Sequence, residues 1–350
     1  MNPITPKQLA LLEKLCNACA VSGDEGEVRE IVLEEVKPFA DEVKVDALGN
    51  VLVTKKGSGK NRLRVMLDAH MDEVGFILVS DDGEGLYGFQ TVGGIDPRHL
   101  PGKPVLVGKD HAYGVIGMKP IHLAEDDEYK RKPSVDSLRI DLSPSGSAKP
   151  GDWGTFATKF KHVGPSILAK AIDDRIGVAT LIELVKHAPP NIDLLAAFTV
   201  QEEVGLRGAK VAAYTFIPDL AIAIDSTPAY DLPVHDGSEN HSYNTKLGLG
   251  PAIYIYNSAT IDDSRLVRFL KETAETEGIP YQIRQPGGGG TDAGAIQRAR
   301  AGVPVVSVSV PGRYAHSPIG LCRVDDWKHT LRLLYSSLEH MTPEMLKDNS

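Results

Sequence analysis

The chain has 350 residues, of which 42% are hydrophobic and 24% charged, with 38 Lys and Arg against 47 Asp and Glu for a formal net charge of -9. That length can bury a large core and exceeds one typical domain, and the composition is ordinary for a globular protein. The acidic balance, and the lack of any basic patch with interleaved aromatics, exclude nucleic acid or an anionic membrane as the main partner.

Residues 1–11 lack the apolar core of a signal peptide and no apolar run is long enough to span a bilayer, so the expected compartment is the cytoplasm. Residues 5–20 read as a helix. Cys16 and Cys19 lie within it at helical spacing, with no second cysteine pair nearby, and read as packed thiols on its buried face. Ser22-Gly23-Asp24-Glu25 interrupts it, and Ser22 or Asp24 is expected to cap a second helix from Glu27 to Val36. Lys44 to Asp46 and Val51 to Val53 read as a hairpin turning at Gly49-Asn50.

Leu63 to Leu67 is a short apolar run rich in branched residues, the texture of a buried parallel strand, and it leads into Asp68-Ala69-His70-Met71-Asp72. From Gly75 to about Lys161 the texture changes. Short strand-like runs (Phe76 to Val79, Pro104 to Val107, Tyr113 to Met118, Leu138 to Leu142) alternate with Gly, Pro and Asp turns, which reads as a small β-barrel. Helical periodicity returns at Asp174 to His187. Three further strands follow: Leu194 to Val200 into Gln201-Glu202-Glu203, Leu220 to Ile224 ending on Asp225, and Val303 to Val310 leading to His316. Between the last two, Tyr281 to Arg284 reads as a strand, and Pro286-Gly287-Gly288-Gly289-Gly290-Thr291-Asp292 opens a helix. Residues 341–350 read as a frayed tail. The expected fold class is α/β, a mixed and mostly parallel sheet flanked by helices, with an inserted small β-barrel. Residues 1–71 and 165–350 form the α/β domain and residues 72–164 the insert, whose otherwise unexplained outer face suggests subunit contact.

Four predicted core strands therefore end on metal-capable side chains. In open α/β sheets, ligands bind at the carboxyl ends of the strands. Two dications about 3.5–4 Å apart share a bridging carboxylate, and His70, Asp173, Glu203, Asp225 and His316 are the candidate ligands. Mixed imidazole and carboxylate donors suit zinc, cobalt or manganese. Three carboxylates against two dications leave one positive charge for a bridging hydroxide, the nucleophile of a hydrolase, because metal binding lowers the pKa of water to about 7. Glu202 points away from Glu203 and could serve as general base and acid. Asp72 is placed to orient His70, and Asp173 precedes a helix whose N-terminus favours its charge. The glycine loop lacks the spacing of a phosphate cradle and reads as bare backbone that substrate can approach, making Gly289, Gly290, Thr291 and Asp292 candidate substrate-binding residues. His235 and His241 read as a polar loop at the rim. His99, His111, His122, His162, His187, His329 and His340 show no supporting pattern.

Asp68 to Gly75, Ala171-Ile172-Asp173-Asp174-Arg175-Ile176-Gly177, Gln201-Glu202-Glu203-Val204-Gly205, Ile224-Asp225-Ser226-Thr227 and Arg313-Tyr314-Ala315-His316-Ser317-Pro318 resemble, in order, the signature segments of the M42 family. These are the tetrahedral (TET) aminopeptidases, which include glutamyl aminopeptidases and cellulase-M-like proteins. The resemblance implies a two-metal exopeptidase fold, with His70 and Asp225 on one metal, Glu203 and His316 on the other, and Asp173 bridging. It implies Glu202 as general base, Asp72 as partner of His70, a cis peptide between Asp173 and Asp174, and the Gly-Gly-Thr-Asp segment beside the substrate pocket. It further implies dimers built partly through the insert and assembled into a hollow dodecamer that admits peptides. Ile319-Gly320 stand where the pattern has an acidic residue, which leaves the preferred N-terminal residue open. The expected function is a two-metal aminopeptidase, with a two-metal N-acyl amino acid deacylase as the alternative and an endoglucanase behind it. The substrate amine is expected either to bind a metal as the neutral base or to pair with the loop acid Asp292.

Overall fold

Two hydrophobic textures become two sheets in the computed structural model, which describes residues 4–125, 130–144, 146–241, 244–285 and 288–347. In chain order come α1 (Pro6–Asn17), α2 (Gly26–Val36), β1 (Glu42–Val45), β2 (Val51–Lys55) and β3 (Leu63–His70). Next are β4 (Gly75–Gly83), β5 (Leu86–Val92), β6 (Pro104–Val107), β7 (Ala112–Gly117), β8 (Arg139–Asp141) and β9 (Trp153–Phe156). Then follow β10 (Lys161–Val163), β11 (Ser166–Ala169), α3 (Ile172–Lys186), β12 (Ile192–Thr199), α4 (Arg207–Phe216) and β13 (Leu220–Pro228). The chain continues with β14 (Ala252–Ile253), α5 (Ser264–Thr276), β15 (Gln282–Ile283) and the single turn α6 (Ala293–Ile296). It closes with β16 (Val305–Arg313), β17 (Gly320–Arg323) and α7 (Val324–His340). Among the described residues no helix is long and apolar enough to cross a membrane.

The large sheet has the order β1-β2-β12-β3-β13-β16-β17-β11-β10, with β14 and β15 joined to β16. Its four central strands, β12, β3, β13 and β16, run parallel. Successive side chains on a strand point to opposite faces, and here both faces are covered. Leu194, Ala196 and Phe198 pack into one core layer while Leu195 and Ala197 pack into another, and β13 divides in the same way. Unbroken apolar runs are what such a doubly covered strand requires. The larger layer lies under α1, α2, α3 and α7, where Trp327 donates to Thr180 at 2.9 Å. The smaller lies under α4 and α6, lined by alanines that let those helices approach closely.

β4 to β9 close into a separate barrel in the order β4-β5-β8-β7-β6-β9. Its core is its own, centred on Phe76, which meets Phe89 and Phe156 edge-on at ring separations of 5.3 and 5.1 Å. The four strand-like runs read from the sequence are all barrel strands, to which the structure adds β5 and β9. Gly88 interrupts the apolar texture of β5, and β9 is only four residues long.

A buried ion triad joins barrel and sheet. Glu73, on the segment leaving β3 for the barrel, accepts from Lys170 at 2.7 Å and from Arg175 at 3.1 Å, both on the returning chain. Thr155 of β9 donates to the same carboxylate at 2.8 Å, and all three charged side chains are buried. Burial opposes ionisation of Glu73, but Lys170 and Arg175 hold its pKa below the usual range.

Several local readings are corrected. α1 stops at Asn17, so Cys19 lies outside the helix, half-buried, while Cys16 is in the core. Neither Ser22 nor Asp24 caps α2, which starts at Gly26 behind Glu25. The hairpin turn is the whole Asp46–Asn50 loop, organised by Asp46, whose carboxylate accepts the amides of Leu48, Gly49 and Asn50. Pro343–Leu346 form a 3₁₀ turn within the stretch expected to be a frayed tail, and 348–350 lie outside the described residues.

Candidate metal centre

The four parallel strands deliver their ends to one place. His70 is the last residue of β3, Glu202 and Glu203 follow β12, Asp225 lies in β13, and His316 follows β16. Asp173 opens α3, where the Asp173-Asp174 peptide is cis, as the family resemblance implies. Asp174 turns back into the protein and accepts the Gly177 amide at 3.0 Å, leaving Asp173 to face the strand ends. A Cβ on residue 177 would fall 2.3 Å from the Asp174 carboxylate oxygens, so only glycine admits this turn.

Two triads result, sharing Asp173. His70 Nε2 lies 3.3 Å from Asp173 Oδ1 and 3.9 Å from Asp225 Oδ1. His316 Nε2 lies 3.6 Å from Asp173 Oδ2 and 3.3 Å from Glu203 Oε2. Within each triad the donor atoms lie within 4.8 Å of one another. Both imidazoles are held by their other nitrogen, which leaves Nε2 facing the cluster. His316 Nδ1 donates to the Gly94 carbonyl at 2.9 Å, and His70 Nδ1 faces Asp72 Oδ1 at 3.5 Å, an electrostatic contact longer than a hydrogen bond. Asp72 also accepts the amides of Glu202 (3.0 Å) and Glu203 (3.2 Å) and the Ser22 hydroxyl (2.5 Å). One buried carboxylate thus positions three segments of the site.

The electrostatics call for cations. Among the described residues no Lys or Arg pairs with Asp72, Asp173, Glu202, Glu203 or Asp225. Burial pushes the Asp225 carboxyl well up, with Asp173 and Asp174 adding to it. Glu203 is pushed up to about 7, mainly by burial, with Asp173 adding and His316 opposing. Burial also raises Glu202, against the neighbouring His70. Asp173 is lowered despite its burial because both histidines bond to it, and His316 is raised to about 10, first by Asp173. Like charges confined at this separation, with imidazole and carboxylate oxygens converging in two threes, fit a pair of divalent ions.

A cavity of ≈440 Å³ opens over the cluster, lined by Glu202, Tyr230, Tyr254, Arg284 and the backbone of Gly288, Gly289 and Gly290. Gly289 and Gly290 therefore stand where the sequence placed them, while Pro286 and Gly287 of that loop lie outside the described residues. Thr291 and Asp292 do not line the cavity. Thr291 is buried against Ser307 at 2.8 Å, and Asp292 is 3% exposed and accepts from Thr199 at 2.7 Å. This corrects the expectation that Asp292 meets the substrate amine, because its carboxylate is turned under the strands. His235 is exposed, and neither it nor His241 belongs to a metal-capable cluster among the described residues.

Ser22, Gly94 and Arg284 are site residues that no local pattern indicated. Ser22 reaches Asp72 across 50 residues of sequence, and Gly94 brings a barrel carbonyl to a histidine 222 residues away. Arg284 is 4% exposed, stacks on the Tyr254 ring at 4.6 Å and donates to the Gly288 carbonyl at 2.8 Å. Its Nη1 has no hydrogen-bond partner among the described residues.

Comparison with known proteins gives the family and the fold. The family model described as M42 glutamyl aminopeptidase matches residues 49–333. A putative aminopeptidase of Acetivibrio thermocellus is 35% identical over 335 residues, 94% of this chain and 97% of that protein. The solved aminopeptidase from Desulfurococcus kamchatkensis superposes with a TM-score of 0.91 at 34% identity, covering 97% of this chain and 96% of that one. The TET1 peptidase of Pyrococcus horikoshii, described as assembling into a tetrahedron or a large octahedral shell, gives a TM-score of 0.83 at 34% identity, with 95% and 100% covered. The chain belongs to the M42 aminopeptidase family and is thereby a peptide hydrolase.

Proposed function

We propose that the protein is a metal-dependent aminopeptidase that uses two divalent ions, zinc or cobalt with manganese as a third choice. His70 and Asp225 would hold one ion and Glu203 and His316 the other, with Asp173 offering one carboxylate oxygen to each. The observation that carries this reading is the division of Asp173, one oxygen toward His70 and the other toward His316. When bound, such ions polarise a carbonyl and lower the pKa of water to about 7. Glu202 lines the cavity beside the cluster, takes the proton of the attacking water and returns it to the leaving amine. Asp72 keeps His70 and the Glu202-Glu203 backbone in register for that exchange.

An enzyme acting on N-termini must distinguish a free amine from a blocked one. With Asp292 turned away and Glu202 committed to the water, the amine is left to the metal cluster. Alanine- and glutamate-anilides with a free amine are expected to be cleaved and their N-acetylated forms not. Cleavage of N-acyl amino acids alone would transfer the assignment to the deacylase alternative. Activity that survives removal of metal by a chelator would favour the endoglucanase, whose paired carboxylates need no ion.

Arg284 supports a preference for an acidic first residue, because it sets a guanidinium charge in the cavity lining, and its buried Nη1 has no hydrogen-bond partner among the described residues. A hydrogen bond to a charged group contributes about 1.5–3 kcal/mol, or roughly 10- to 150-fold. Arg284→Met is expected to lower kcat/KM for glutamyl and aspartyl anilides by about that factor, while leucyl anilide changes little. An equal loss on all substrates would make Arg284 structural only.

Residues 72–164, carrying the barrel, act as the subunit-contact domain, with residues 1–71 and 165–350 as the catalytic domain. The barrel exposes Tyr113 and Val115 side by side on β7, and Val79 and Met118 elsewhere on its surface. Dimers joined there and assembled into a dodecamer, a shell akin to those of the P. horikoshii relative, fit this surface. Light scattering at micromolar concentration is expected to return a dodecamer mass, and a monomer mass would remove the assembly.

A further inference from the structure

A thiol, a carboxylate and an imidazole meet where the barrel rests on the first helices, away from the site above. Cys19 lies between α1 and α2, Glu27 is in the first turn of α2, and His111 ends the turn from β6 into β7. Their donor atoms lie within 4.8 Å of one another. Glu27 joins the group, accepting the Cys19 amide at 2.8 Å through Oε2 and facing His111 Nε2 at 2.5 Å through Oε1. Beside them is a cavity of ≈290 Å³ that Asp24 and Glu30 also line.

An ion pair between Glu27 and His111 accounts for two of these groups and leaves the thiol without a role. Burial pushes the Cys19 thiol up to about 11, so with only these partners it stays protonated at neutral pH. A soft sulfur, an imidazole and a carboxylate together form a donor set suited to zinc-class ions, which bind S at about 2.3 Å and N or O at about 2.0–2.2 Å. Tetrahedral ligands at those lengths lie roughly 3.3–3.8 Å apart. Small side-chain adjustments would bring the present separations to that spacing, with water in the cavity as a fourth ligand. Asp24 and Glu30 give the cavity an acidic wall that favours a dication.

We propose that Cys19, Glu27 and His111 form an additional binding site for a divalent transition-metal ion of the zinc class, sharing no ligand with the pair at Asp173. On binding, the Cys19 thiol releases its proton to solvent and its sulfur donates to the ion, with no change of oxidation state. The ion then ties the barrel hairpin to the helical layer.

Cobalt(II) added to the metal-free full-length protein tests this, because only a thiolate ligand produces a near-ultraviolet sulfur-to-cobalt charge-transfer band. The other proposed ligands are nitrogen and oxygen donors and give none. The wild type is expected to develop the band, with an intensity at saturation of one thiolate-bound cobalt per chain beside the ions taken up at Asp173. Cys19→Ser should abolish it while leaving aminopeptidase activity unchanged, and Cys16→Ser should retain it. His111→Asn, which suits the left-handed backbone of that exposed position, should weaken cobalt binding at the band by about 10-fold or more, and His111→Ala should do the same. No band in the wild type, a band that survives Cys19→Ser, or unaltered affinity in His111→Ala would overturn the site.

Discussion

Replacing Glu202 with glutamine is expected to lower kcat about 10²–10⁴-fold, the contribution of a positioned general acid–base, while both metal ions stay bound. Glutamine keeps the size and hydrogen-bonding reach of glutamate but cannot carry the proton from water to leaving amine. The backbone should not respond, because Glu202 is held through its amide by Asp72 rather than through its carboxylate. Turnover and metal content measured on the same sample decide the matter. If Glu202→Gln loses metal while Glu203→Gln keeps it, the two glutamates have exchanged roles.

Asp173→Ala is expected to have the other large effect, through a different route. Asp173 is the single carboxylate that faces both His70 and His316. Without it each triad is reduced to two groups, and the remaining acids, Asp225 and Glu203, no longer answer a shared partner. Both ions should be lost from the protein at stoichiometric metal. Loss of electrophilic stabilisation amounting to several kcal/mol predicts a fall in kcat/KM of about 10³-fold or more. Elemental analysis should show the metal content fall, and far-ultraviolet circular dichroism should show α3 intact. A variant that retains two ions per chain would remove Asp173 from the bridging position.

Much of this was legible in the sequence because burial on both faces forces a recognisable texture. Leu194 to Val200 and Leu220 to Ile224 cannot alternate polar and apolar residues when each side chain enters one core layer or the other. Reading where those runs stop located His70, Glu203, Asp225 and His316 together. The errors have a common physical cause: a side chain's local signature is indifferent to partners far along the chain. Ser22 has the neighbours of a helix cap, yet its hydroxyl is taken by Asp72. Asp292 sits at the end of a glycine loop, as a substrate-binding acid would, yet Thr199 and the strand ends draw it inward. Cys19 has helical spacing from Cys16, yet the helix ends at Asn17 and the thiol turns toward a barrel histidine. Arg284 was read only as the last residue of a strand, because its free N–H exists only once Tyr254 and Gly288 are in place.

The triad of Glu73, Lys170 and Arg175 bears on how the barrel can behave and how it can evolve. The chain crosses between the two bodies twice, and one anion fastens both crossings in a dry environment. Removing one partner from such a buried group costs about 3–5 kcal/mol, since the others are left uncompensated. No hinge is available at a junction locked in that way, so the barrel stands as a fixed wall beside the cavity rather than as a lid over it. A lineage can discard the lock only by exchanging all three residues together, and the exit from β3 and the entry into α3 are therefore bound to change in concert.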